Sequence, residues 1–220
     1  MTHLVILKNV ENKTKKWFDK RYQLKEIIEE NVTNKLIPRG LSWFGCMGGL
    51  ALVAFMIQVG TGIFLIFYFV PSLGEAFNSV KYIRHAVPSG WLIQKIHAVT
   101  PHFMITLVFA HMLRILFKGV YKKPRELHWI SGASLLVLTL ILCYTGSLLP
   151  ANDLSYWSIN AVGSEIGMPA MATGYGEGAV SSHGFNAVYA LHIACIPLLM
   201  CVIMGFHFLM VRRTGVSDPL

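Results

Sequence analysis

The chain reads as all-α and integral to a membrane: a four-helix transmembrane bundle with an amphipathic helix at the membrane surface before it. Three observations predict this. Of the 220 residues, 54% are hydrophobic, and the mean hydropathy of +0.53 is too apolar for a soluble domain of this size. Four apolar segments, about 41–70, 92–117, 130–149 and 186–211, each come near or exceed the ~20 residues that cross a bilayer as a helix. Period-2 alternation is absent, which argues against a transmembrane barrel. Two regions follow: an interfacial segment at 1–40 and a membrane domain at 41–220.

A net charge of +8 could suggest a nucleic-acid partner, but the basic residues lie where a membrane would put them. Lys8, Lys13, Lys15, Lys16, Lys20, Arg21, Lys25, Lys35 and Arg39 precede the first span. Lys118, Lys122, Lys123 and Arg125 lie between spans two and three, and Arg212 and Arg213 follow span four. The connection after span one holds only Lys81, Arg84 and Lys95, and the long connection 150–185 has no Lys or Arg. The positive-inside rule therefore puts both termini on the cytoplasmic side, with membrane lipid and not nucleic acid as the surrounding partner.

In chain order, KTKKWFDKRYQLKEIIEEN at 13–31 places Trp17, Phe18, Leu24, Ile27 and Ile28, with Tyr22 at the margin, in a roughly helical stripe, with basic residues on the other side. That pattern suits a helix lying on the inner membrane surface, or equally one packed on a partner subunit. Pro38-Arg39-Gly40 ends it, and span one opens with LSWFGCMGG. VPSLGEAFNSVKYIRHAVPSGW is an outer connection, and GVYKKPRELHW is the inner turn between spans two and three. The 150–185 stretch is rich in Gly, Ser, Ala and Met, and is long enough to hold short helices that cover a site.

Spans two and four each bury two histidines in apolar sequence. His97 and His111 are fourteen residues apart, within about 40° on one helix face and about 21 Å along it. His192 and His207 are fifteen apart, which gives about 60° and 22 Å. With these faces inward, two tiers form: His97 opposite His192, and His111 opposite His207. Each tier has the geometry of a bis-histidine haem site. A lone histidine on an apolar helix usually hydrogen-bonds to a neighbour, but four at matching spacings in hydrocarbon mark a functional set. Gly48 and Gly62 repeat the fourteen-residue step in span one, as do Gly132 and Gly146 in span three. Glycine on an inward face lets a flat macrocycle approach the backbone, although small-residue helix packing explains it as well. Cys46, Cys143, Cys195 and Cys201 form no CxxC or zinc spacing, and the three in mid-span are read as small core residues.

From about WFDKR at 17 to the C-terminus, the sequence resembles cytochrome b6, the four-helix form of cytochrome b found in split quinol-oxidising complexes. The resemblance is carried by CMGG, QVGTG with FYFVPS, EAFNSVKYI, GWLIQKIH, YKKPRELHW, TGSLLP, YALH and HFLMVRRTGVSDPL. It implies that His97 and His192 ligate an outer b-type haem and His111 and His207 an inner one. It also implies a covalent c-type haem on Cys46, with Arg114, Arg212 and Arg213 as propionate partners. The arginines would also satisfy the positive-inside bias by snorkelling. Quinol and quinone are the implied substrates, menaquinone by the likeness of YKKPREL to Gram-positive b6-like chains. The implied partners are a Rieske iron–sulfur protein, a companion subunit completing the split cytochrome b, a c-type cytochrome and a second copy of the complex. The implied host is a bacterial cytoplasmic membrane.

Departures gather on the outer side. Gln94, Ala98 and Ala187 stand where b6-type chains carry arginines, and LPAND at 149–153 replaces an LPWDQ-like run. Lys95 or His102 could compensate. The leading expectation is the haem-bearing subunit of a quinol:acceptor oxidoreductase. A dihaem anchor wiring another redox partner to the quinone pool is the alternative, supported by the missing arginines. A haem-free transporter using intramembrane histidines is a third.

Overall fold

In hydrocarbon no water can satisfy a backbone N–H or C=O, so a segment that crosses must satisfy them within itself, and the apolar runs become helices. The computed structural model describes residues 45–155, 157–158 and 182–214. The 13–31 stripe, the 1–40 region and most of the 150–185 connection lie outside them. Among the described residues there is helix and no strand.

The elements are α1 (Met47–Ile66), α2 (Ala76–Ala86), α3 (Gly90–Phe117), α4 (Glu126–Leu148), α5 (Ser182–Ala190), a π-helical turn (Leu191–Cys195) and α6 (Ile196–Thr214). Four stretches are long and apolar enough to span a membrane: Met47–Ile66, Gly90–Phe117, Glu126–Leu148 and Gly184–Arg213. The expected all-α membrane bundle is what forms. The short amphipathic α2 was expected only as a connection. It buries Ala76, Ser79 and Ile83 and folds back on the start of α3, where a Cβ at Gly90 would collide with the Ile83 carbonyl. No other residue fits that approach.

α1 packs on α3 and α4 packs on α6, whereas the histidine-bearing α3 and α6 do not pack closely on each other. Two apolar clusters fill the interior. Ala54, Phe55, Met104 and Met200 form a layer at mid-bundle, backed by Val59, Val108, Leu135, Leu138, Leu142 and Met204. Ala76, Leu148 and Phe185 close the end that α2 covers. Most other large apolar side chains on the spans, among them Phe103, Phe109, Leu198 and Val202, point outward. In a bilayer that costs nothing.

The fourth span departs from a regular helix at His192. Ile196 N–H bonds to the Leu191 carbonyl, five residues back, and Pro197 follows, with no N–H to give and a ring that crowds the preceding turn. A π turn takes up one residue more than an α turn. The fifteen-residue step from His192 to His207 therefore behaves as the fourteen-residue step of the other three spans, and the 60° offset expected for a regular helix is reduced.

Candidate cofactor site

Two levels of histidine form inside the bundle. At one, the His97 and His192 rings stand across the gap between α3 and the π-helical turn, with centroids 6.4 Å apart and planes at 78°. Two imidazoles on opposite sides of one metal, each bonded at about 2 Å with roughly 1.1 Å from nitrogen to ring centre, would stand about 6.3 Å apart. The gap is therefore the width of one metal and its two axial bonds. At the other level, His111 and His207 line a single cavity of ≈ 300 Å³ with Gly48 and Gly132.

Each histidine is seated by the neighbouring helix. A Cβ on Gly62 would come within 3.2 Å of the His97 ring, on Gly146 within 2.7 Å of His192, on Gly48 within 3.3 Å of His111, and on Gly132 within 3.5 Å of His207. The four glycines thus make room for the imidazoles, a more specific role than the approach of a macrocycle expected from spacing. The residue before the glycine completes the seat in three cases. Thr61 Oγ1 lies 2.8 Å from His97 Nδ1, Thr145 Oγ1 lies 3.0 Å from His192 Nδ1, and Ser131 Oγ lies 2.8 Å from His207 Nδ1.

These hydroxyls decide the tautomer. The Thr61 hydroxyl donates to the Ile57 carbonyl at 2.7 Å, that of Thr145 to the Ile141 carbonyl at 2.8 Å, and that of Ser131 to the His128 carbonyl at 3.0 Å. With its one proton committed, each oxygen can only accept from Nδ1–H. The lone pair then sits on Nε2, which is the state a metal ligand needs.

His97 has a further support. Pro101 inside α3 cannot donate to the carbonyl four residues back, which belongs to His97. Gln58 Nε2 donates to that carbonyl at 3.1 Å instead. In QVGTG, then, Gln58, Thr61 and Gly62 all serve one histidine.

At the His111 level the cavity has a polar end formed by Arg114, Tyr121, Arg125 and His128. His128 stands 6.2 Å from the His207 ring, edge to face. Among the described residues, Arg114 Nε and His111 Nδ1 are buried without a hydrogen-bond partner. A buried unpaired donor costs about 1–3 kcal/mol, so a cationic end holding one suits an anionic substituent such as a carboxylate. Sequence reasoning missed Arg125 and His128. Both were findable, since they precede Gly132 by seven and four residues and so share its face of α4.

Arg212 and Arg213 are exposed at the end of α6 and are not among the residues lining the cavity. Cys46 is the exposed residue before α1, two before Gly48, at the cavity end of the bundle. Cys195 and Cys201 are also exposed, which corrects their reading as core residues: they lie on the outer side of the fourth span, where a polarisable sulfur is at home in hydrocarbon. Lys95 and His102 are exposed and leave Gln94 alone, whereas Arg84 from α2 donates to Gln94 Oε1 at 3.1 Å. A guanidinium delivered from another helix therefore bonds the side chain that lies one turn before His97 in α3.

Among the described residues no group of three or more His, Cys, Asp or Glu is placed to hold a bare metal ion. Paired imidazoles in glycine-lined slots suit a metal that arrives with its remaining ligands in a flat ring. A model of the cytochrome b/b6/petB family matches residues 32–215. A chain in a solved structure of a hyperthermophilic respiratory Complex III is 30% identical, with a TM-score of 0.84 over 93% of this chain. That chain is longer, and this one spans 56% of it.

Proposed function

The chain belongs to the cytochrome b family, and from that premise we propose that it is the haem-carrying subunit of a quinol-oxidising bc-type complex. The observation that carries the reading is the His97–His192 pair, 6.4 Å apart across a gap between helices that do not otherwise pack closely. Both partners have Nδ1 hydrogen-bonded to a threonine. His97 and His192 hold one b-type haem, and His111 and His207 hold the second. Held by these four imidazoles, haem would supply one-electron transfer.

The chain's own residues position and insulate. The mid-bundle layer of Phe55, Met104 and Met200 keeps water from the space between the tiers, in low dielectric. Arg114, joined by Arg125, meets the acidic substituents of the inner haem. With the termini cytoplasmic, the His111 tier is the inner one, next to the quinone-reducing side, and the His97 tier faces outer quinol oxidation. Cys46 carries a covalent c-type haem at the inner end. Menaquinone is the quinone, and a Rieske protein, a companion subunit and a c-type cytochrome complete the assembly.

A dihaem anchor for another redox partner is the competing reading. Its support was the missing outer charge, and the Arg84–Gln94 contact weakens that support.

Reduced-minus-oxidised visible spectra of the purified membrane complex test the core of the proposal. Two b-type haems per chain are expected, and a spectrum without b-type bands ends it. Covalent-haem staining on a denaturing gel should mark this chain and vanish in Cys46→Ala. Copurification of a Rieske protein separates the bc complex from the anchor.

A further inference from the structure

Three of the four inward glycines follow a hydroxyl residue, and one does not. Thr61-Gly62, Ser131-Gly132 and Thr145-Gly146 each offer an oxygen at 2.8–3.0 Å to the Nδ1 of the histidine that the glycine faces. The fourth seat is Met47-Gly48. Its glycine faces His111, and among the described residues His111 Nδ1 is buried with no hydrogen-bond partner.

We propose that the residue before each inward glycine is a positioning residue that sets the electronic character of the imidazole beside it, and that methionine at position 47 leaves His111 the weakest electron donor of the four. The inference rests on the two-haem reading. An Nδ1–H that donates to an oxygen gives its ring more imidazolate character and makes Nε2 the more basic ligand. A more basic ligand stabilises the oxidised iron and lowers the reduction potential, one of the levers a protein has on haem. The His97–His192 haem has two such donors and the His111–His207 haem has one. This imbalance biases the His111–His207 site toward the higher potential, the direction that draws electrons from the first tier to the second.

The same hydrogen bond holds the ring's rotation about its bond to the chain. His111 lacks that restraint among the described residues, so it is also the ligand freest to turn.

Redox titration of the intact complex, followed at the b-type bands, tests this by a pattern across variants. Thr61→Val and Thr145→Val should raise the same one of the two midpoint potentials. Ser131→Ala should raise the other, and Met47→Thr should lower that other one, since it supplies the absent oxygen. Thr61→Ser should restore the wild-type value. The low-spin ferric EPR signals should move with the same assignment, a response that a merely structural role would not give. If both haems are present and the potentials stay put, or if Met47→Thr moves the same haem as Thr61→Val, the proposal is overturned. If a valine variant assembles no haem, Met47→Thr decides, because it deletes no hydrogen bond. Absence of b-type bands from the unmodified complex would instead sink the two-haem reading itself.

Discussion

The two tiers share one plan, a histidine from each of two helices and a glycine from each of two others, yet they are built to different tolerances. In the His97 tier the glycines stand closest, with a Cβ limit of 2.7 Å at Gly146 and 3.2 Å at Gly62. Both rings are tied to threonines, and the end is shut by Ala76, Leu148 and Phe185. In the His111 tier the limits relax to 3.3 and 3.5 Å, one ring nitrogen has no partner among the described residues, and a ≈ 300 Å³ cavity is lined by Arg114 and Arg125. Repetition in sequence therefore does not mean equivalence in space. The tier beside α2 holds its glycines and hydroxyls closer to the rings, and the other is lined by charged side chains.

The comparison breaks most easily at the glycines. Gly146→Ala would drive a methyl to 2.7 Å from the His192 ring, and the expected result is loss of one b-type haem per chain by pyridine haemochrome assay. Gly132→Ala sits at ordinary van der Waals distance, 3.5 Å from His207, and should retain both haems. Equal haem content in the two variants would mean that the tiers are equally tight.

A smaller effect is expected at Gln58, whose support of the His97 carbonyl has no described counterpart at His111. Gln58→Leu leaves a carbonyl orphaned by Pro101, at about 1–3 kcal/mol, and should lower the thermal unfolding midpoint in detergent while both haems still bind. The smallest effect is at Arg84. Removing a positive charge near oxidised iron favours the oxidised form, so Arg84→Gln should lower the potential of the His97-tier haem slightly. Raising the salt concentration should shrink the difference, because Arg84 is exposed. A titration in which Arg84→Gln moves the other haem would misplace the charge.

Much of this was readable in one dimension. The spans follow from hydropathy, and the fourteen-residue steps of histidine and glycine follow from helix periodicity, because both are local properties of a chain that must satisfy its own backbone in lipid. Pro101 was visible too, but nothing local says that Gln58, on another helix, answers it. Arg84 looked like a loop charge until α2 folded back and brought it to Gln94. Cys195 and Cys201 looked like core, because an apolar context in a membrane span does not say which side faces lipid.

The sequence alone determined that four apolar rods cross a membrane and that two of them carry histidines at two depths, since length, hydropathy and a 3.6-residue period suffice for that. Tertiary structure decided which ring meets which glycine, which hydroxyl holds which nitrogen, and how a π turn brings a fifteen-residue step into line with three of fourteen. Those outcomes depend on the rotation and relative height of packed helices, and these are set by close contact between side chains far apart in the chain.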